Sequence, residues 1–178
     1  MSSILLIGGT GFLGSAVVRE LARRPASANF QFTLPTRRRD KAKHLLVLPT
    51  ADVVDADVHD PATLAALMQG QDAVISMVGI LKGGEPGRLP PSPLPREGGD
   101  DGSPRGGSGN VAGPALGRPG DRAPYGKGFA RAHVELPRKI AAAAKAAGVR
   151  RVLHVSALQA TADAPSGYLR SKAAGEAV

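Results

Sequence analysis

Short apolar runs alternate along the chain with longer stretches in which apolar residues recur every three or four positions. The first run, Ile4-Leu5-Leu6-Ile7, has the length and composition of a strand buried on both faces. An amphipathic stretch follows and predicts a helix over Phe12 to Arg24, with Leu13, Ala16, Val17 and Leu21 on its inner stripe and Pro25 ending it. Phe30 to Leu34 reads as a second strand, Lys41 to Leu48 as a short helix and Ala51 to Val54 as a third strand. Asp60 has the character of an N-cap with Pro61 at the first helical position, so a helix starts there and runs to about Gln69. Asp72 to Val78 is a fourth strand of almost uninterrupted apolar residues. Phe129 to Ala147 predicts a long helix closed by Gly148, and Arg151 to Ser156 a fifth strand. A final helix begins near Ser166 and runs to the last residue. This alternation implies an α/β fold: a doubly wound parallel sheet with right-handed crossovers and strand order 3-2-1-4-5. The ligand crevice of such a sheet lies between strands one and four.

The pattern breaks between Gly83 and Pro124, where about half of the residues are glycine or proline. So few large apolar residues cannot offset the ordering entropy of the segment, which is expected to be a long disordered insertion after strand four. The domain organisation is therefore one domain over residues 1–178 with a low-complexity insertion at 83–124.

Composition removes several classes of function. With no cysteine, disulfides, thiolate metal sites and cysteine nucleophiles are excluded. His44, His59, His133 and His154 show no metal-ligand spacing, so no metal is expected. The net charge of +8 invites a nucleic-acid reading, but aromatic residues for stacking bases are almost absent. No apolar run approaches the ~20 residues that span a bilayer. The N-terminus lacks the basic lead and length of a signal peptide, which leaves the cytoplasm as the default compartment.

The chemistry concentrates where strands end. Gly8, Gly11 and Gly14 follow the first strand directly and open the first helix. In a Rossmann-like unit, such glycines give a tight turn, a close approach to a pyrophosphate and tight helix–strand packing. After the second strand comes Thr36-Arg37-Arg38-Arg39, with no carboxylate until Asp40 to hold a ribose hydroxyl. Arg37 and Arg38 instead suit a 2′-phosphate, which favours NADP(H) over NAD(H). Tyr168 and Lys172 stand four apart on the last helix and share a face, with Ser156 ending the strand before them. An ammonium beside a phenol favours the phenol's ionised form, and a serine hydroxyl can orient a carbonyl, so the three form a candidate catalytic set.

The Gly-x-x-Gly-x-x-Gly spacing and the Ser, Tyr-x-x-x-Lys arrangement resemble the extended and atypical short-chain dehydrogenases/reductases, including NAD-dependent epimerase/dehydratase-like proteins. The phrases Val78-Gly79-Ile80-Leu81, Phe129-Ala130-Arg131-Ala132-His133-Val134-Glu135, His154-Val155-Ser156-Ala157-Leu158 and Tyr168-Leu169-Arg170-Ser171-Lys172 look like the branch of the nucleotide-binding accessory subunit of respiratory complex I. That resemblance implies Thr10, Phe12 and Leu13 along the pyrophosphate, Asp57 and Val58 beside the adenine, and Val78 and Gly79 at the nicotinamide ribose, which Lys172 would also hold. It implies either an oxidoreductase or epimerase-type enzyme, or a non-catalytic NADPH-binding subunit of a larger assembly. The second carries a protein partner and a position peripheral to the inner membrane. A redox-sensing regulator is a third, weaker expectation. His133 stands where many members have a relay asparagine. The chain stops soon after Lys172, where the family continues into a substrate-binding part, so that part is expected to be absent.

Overall fold

The apolar run at the N-terminus becomes the middle strand of the sheet. The computed structural model describes residues 2–24, 29–81 and 125–178. The insertion expected over 83–124 lies outside the described residues, as does Pro25. Strands β1 (Ser2–Ile7), β2 (Phe30–Thr36), β3 (Ala51–Asp55), β4 (Ala73–Ser76) and β5 (Arg151–His154) pair in parallel, in the expected order β3-β2-β1-β4-β5.

Alternation along β1 feeds two cores. Ile4 and Leu6 join Phe32, Leu34 and Val53 beneath Val18 of helix α1 (Phe12–Ala22), together with Ala42 and Leu45 of a 3₁₀ helix (Arg39–Leu45). Leu5 and Ile7 face the other way, against Leu64 and Met68 of α2 (Pro61–Met68) and Leu136, Ile140 and Ala144 of α4 (Leu136–Ala146). Fully burying each large aliphatic side chain contributes about 1.5–3 kcal/mol, so β1 is anchored from both faces. Asp60 caps α2 as expected, its carboxylate accepting from the Thr63 N–H at 2.7 Å, with Pro61 beginning the helix. Gly148 closes α4 with a left-handed φ of 70°.

Several boundaries differ from the expectation, each for a local reason. The inner face of α1 is Gly14, Ser15 and Val18 with Val17 and Leu21 beside it, whereas Leu13 and Ala16 are exposed. β2 continues through Pro35 to Thr36. The Phe32 N–H points to Thr50 of the β3 side, so alternate residues put Pro35's nitrogen toward β1, whose pairing with β2 has ended at Thr33. The missing donor therefore breaks no ladder bond. The long helix is not uniform: one turn, α3 (Lys127–Phe129), leads into a π turn (Ala130–Glu135) before α4. Pro137 explains the widening, because it cannot donate to the carbonyl of His133 four residues back and its ring crowds that carbonyl. α5 (Gly167–Glu176), capped by Ser166 through the Leu169 N–H at 3.1 Å, packs on this π turn and ends before the last residue. β5 is an edge strand among the described residues, and its Val152 and Leu153 are half-exposed.

Candidate functional site

A parallel sheet brings the carboxyl ends of its strands to one rim, and there the glycine turn meets the loops after β2, β3, β4 and β5. Gly8 has a φ of 87°, and a Cβ on it would lie 3.0 Å from the Met77 carbonyl carbon of the β4 loop. Gly14 presses on the Gly8 carbonyl, and a Cβ there would also stand 2.6 Å from Gly9 Cα. Both positions exclude side chains for reasons of folding. Gly11 is different: it is the exposed N-cap of α1, where a Cβ would meet only the Gly8 oxygen at 3.2 Å. The helix it opens has no side-chain cap and no acidic residue in its first turn. Its N–H groups and positive dipole end therefore suit an anion at the crevice. Phe12 and Leu13 are exposed at this helix start, and Thr10 is half-buried beside it.

The turn is tied to the basic loop through Thr36, whose hydroxyl accepts from the Arg38 N–H at 3.1 Å and meets the Thr10 hydroxyl at 3.5 Å. Thr10, Thr36, Arg37, Arg38 and Lys41 line one open cavity of about 430 Å³. Of these, the sequence pointed to Thr10, Arg37 and Arg38; Thr36 and Lys41 join them, and their signal was membership of the same basic phrase. No carboxylate lines the cavity. Uncapped helix amides, a turn whose glycines a Cβ would fill and a cationic pocket next to it together fit a phosphorylated dinucleotide. After β3, Asp57 is exposed and its carboxylate accepts from the His59 N–H at 3.0 Å. Val58 packs on the second core.

Lys172 is buried at the junction of the β4 and β5 loops. Its ammonium donates to the Val78 carbonyl at 3.1 Å and the Val155 carbonyl at 3.0 Å, and lies beside Gly79. Burial holds its pKa below the ordinary lysine value, opposed by the Glu176 carboxylate. Tyr168 packs edge-on against His133 and Phe129, with ring centres 5.4 and 6.1 Å away. Ser156 lies two residues beyond β5, its hydroxyl buried without a hydrogen-bond partner. Ser76 Oγ and His154 Nε2 are likewise buried without partners. These three residues line a second cavity of about 310 Å³ with Ile140, Val152 and Gly175. The structure thus brings Lys172 to Val78 and Gly79, while Tyr168 and Lys172 do not line the cavity that holds Ser156. Among the described residues, no group of three or more His, Cys, Asp or Glu could hold a metal ion, and no helix is long and apolar enough to cross a membrane.

Fold and rim together define a Rossmann-like dinucleotide-binding domain. The family described as NAD(P)H-binding matches residues 8–177, and the chain belongs to that family. A maize (Zea mays) isoflavone reductase homolog IRL is 37% identical over 94 residues, 49% of this chain and 29% of the maize protein. Among solved structures, the oxidoreductase ylbE from Lactococcus lactis superposes with a TM-score of 0.62 at 16% identity, over 98% of this chain and 61% of that one. The NADPH-dependent quinone oxidoreductase QOR2 of Escherichia coli, complexed with NADPH, gives 0.56 at 21% identity, over 98% of this chain and 43% of that one. The chain therefore spans under a third of the maize protein and about half of these two structures.

Proposed function

We propose that this domain holds NADP(H) in preference to NAD(H), and that the protein carrying it is an oxidoreductase in which Ser156, Tyr168 and Lys172 manage the proton that accompanies hydride transfer. The observation that carries the cofactor preference is the cavity of Thr10, Thr36, Arg37, Arg38 and Lys41 beside the glycine turn, with cations and hydroxyls and no carboxylate. Arg37, Arg38 and Lys41 bind the 2′-phosphate, the N–H groups opening α1 take the pyrophosphate, and Asp57 and Val58 border the adenine. Val78, Gly79 and Lys172 hold the nicotinamide ribose. The bound nicotinamide supplies or accepts a hydride. Tyr168 gives or takes the proton at its hydroxyl, and the unpartnered Ser156 hydroxyl orients a carbonyl or alcohol. QOR2, a structural neighbour described as NADPH-dependent, supports the reading.

A charge-assisted hydrogen bond is typically worth ~1.5–3 kcal/mol, and the lower figure for one bond amounts to about tenfold in affinity. Fluorescence titration should show NADPH binding at least about tenfold tighter than NADH, and Arg37→Ala with Arg38→Ala should remove most of that ratio. Equal affinities in the wild type, or an unchanged ratio in the double variant, would sink the assignment.

Lys172 also favours a second reading, in which NADPH is a structural element of a complex I-like assembly: its ammonium already braces two backbone carbonyls, a role without turnover. NADPH oxidation with a panel of carbonyl acceptors by the wild type, abolished in Tyr168→Phe, decides for the enzyme.

A further inference from the structure

His133 is fully buried between three elements, and its two ring nitrogens have partners that fix where its hydrogen must be. The Ile80 N–H, on the loop after β4, donates to Nε2 at 3.0 Å. A backbone amide can only donate, so Nε2 carries a lone pair. On the other side Nδ1 lies 2.8 Å from the Ser171 hydroxyl of α5. That hydroxyl directs its own hydrogen to the Tyr168 carbonyl at 2.6 Å, so it accepts from Nδ1–H. The ring is stacked on Phe129 with centres 5.3 Å apart and meets the edge of Tyr168 at 5.4 Å. Its backbone takes part as well. Pro137 leaves the His133 carbonyl without its helical donor, and that carbonyl packs directly on Gly175 of α5, where a Cβ would collide with it. The ring stands on the π turn, between the β4 loop and α5.

We propose that His133 is a positioning residue: a neutral imidazole, protonated on Nδ1 only, that latches the Val78–Ile80 loop to the helix carrying Tyr168 and Lys172 and so sets the nicotinamide end of the cofactor crevice. The proposal rests on the NADP(H) reading for its functional consequence, but the latch itself does not. A hydrogen on Nε2 would oppose the Ile80 N–H and open the latch on that side. Its surroundings work against such a hydrogen: the titratable groups facing the ring are Lys172 from α5 and His154 from β5, with Glu176 of α5 acting on both of these. Burial and these neighbours hold the His133 pKa down to about 4, so the latch stays closed at neutral pH.

The test uses the whole chain with two probes, NADPH and adenosine 2′,5′-bisphosphate, which reaches only the adenosine end. His133→Phe removes both ring bonds, and Ser171→Ala removes the Nδ1 acceptor while leaving the ring intact. His133→Gln keeps one acceptor and one donor. NADPH affinity should fall about tenfold in His133→Phe, fall in the same direction in Ser171→Ala, and recover in His133→Gln. Affinity for adenosine 2′,5′-bisphosphate should stay at the wild-type value throughout. Equal losses for both probes would mean a general structural defect and overturn the proposal, as would no loss for either. Nitrogen-15 spectra of the wild type should show a protonated Nδ1 and an unprotonated Nε2 at His133; the reverse tautomer refutes the latch. If the wild type binds neither probe, the cofactor reading falls, while the nitrogen spectra still decide the latch.

Discussion

Acidification should weaken this fold more in the wild type than in His133→Gln, and the difference can be worked from the buried imidazole. In the folded chain burial, and then the charges of Lys172 and His154, bring the His133 pKa down from 6.5 to about 4. The fold thus favours the neutral ring, and the unfolded chain takes up the proton first. Stability from this group is complete above pH 6.5 and drains away as the pH falls toward about 4. Linkage between those two values gives a loss of roughly 2–3 kcal/mol from about pH 7.5 to about pH 4.5, a large share of the stability of an ordinary domain. His59 and His154 are also held below the ordinary value, chiefly by burial, so the wild type loses somewhat more in total. Asp60, Asp72 and Asp163 are held low by hydrogen bonds and act only below about 3.8, outside this window. Urea unfolding of wild type and His133→Gln at the two pH values isolates the imidazole. The wild type should lose roughly 2–3 kcal/mol more than the variant on going to the lower pH. Equal losses would show that His133 titrates alike in folded and unfolded chains, and the account of its burial would be wrong.

Gly14→Ala sets a methyl against the Gly8 carbonyl and Gly9 Cα, both backbone, so it should lower the melting temperature with or without cofactor; overpacking of this kind costs about 1–3 kcal/mol or more. A Gly14→Ala protein as stable as the wild type would contradict the close packing of turn and helix. Ser166→Ala removes the α5 cap and should cost about 1 kcal/mol in urea unfolding. A change within error of zero would mean that the cap adds nothing to the helix.

Most of the fold was legible because its signals are local and strong. A run of four large aliphatic residues directly before a glycine turn has the length and composition of a strand covered on both faces, and Ile4 to Ile7 are all buried. Asp60-Pro61 marked a helix start through a hydrogen bond that the Asp side chain makes by itself. Strand order followed from alternation and handedness. The arginines of the basic loop were legible as a group, since only their position after β2 had to be known. What stayed hidden depends on contacts distant in sequence. The inner face of α1 turned out to be Gly14, Ser15 and Val18 because the glycine turn draws the helix close to the sheet, a rotation that apolar spacing alone does not report. The π turn was signalled only by Pro137 inside a helix-like stretch, and its effect on His133 requires knowing that Ile80 and Ser171 lie on either side. Ser156 was placed at a strand end, but whether its hydroxyl meets Tyr168 or a separate cavity depends on how α5 sits over β5.

The central claim is that the glycine turn at the start of α1 receives a nicotinamide dinucleotide. Gly11→Val tests it most directly, since a side chain there meets little of the protein but occupies the mouth of the uncapped helix. Isothermal titration of NADPH should show saturable binding to the wild type and at least about tenfold weaker binding to Gly11→Val, with the far-UV spectrum unchanged. Equal affinity in the two proteins would contradict the account.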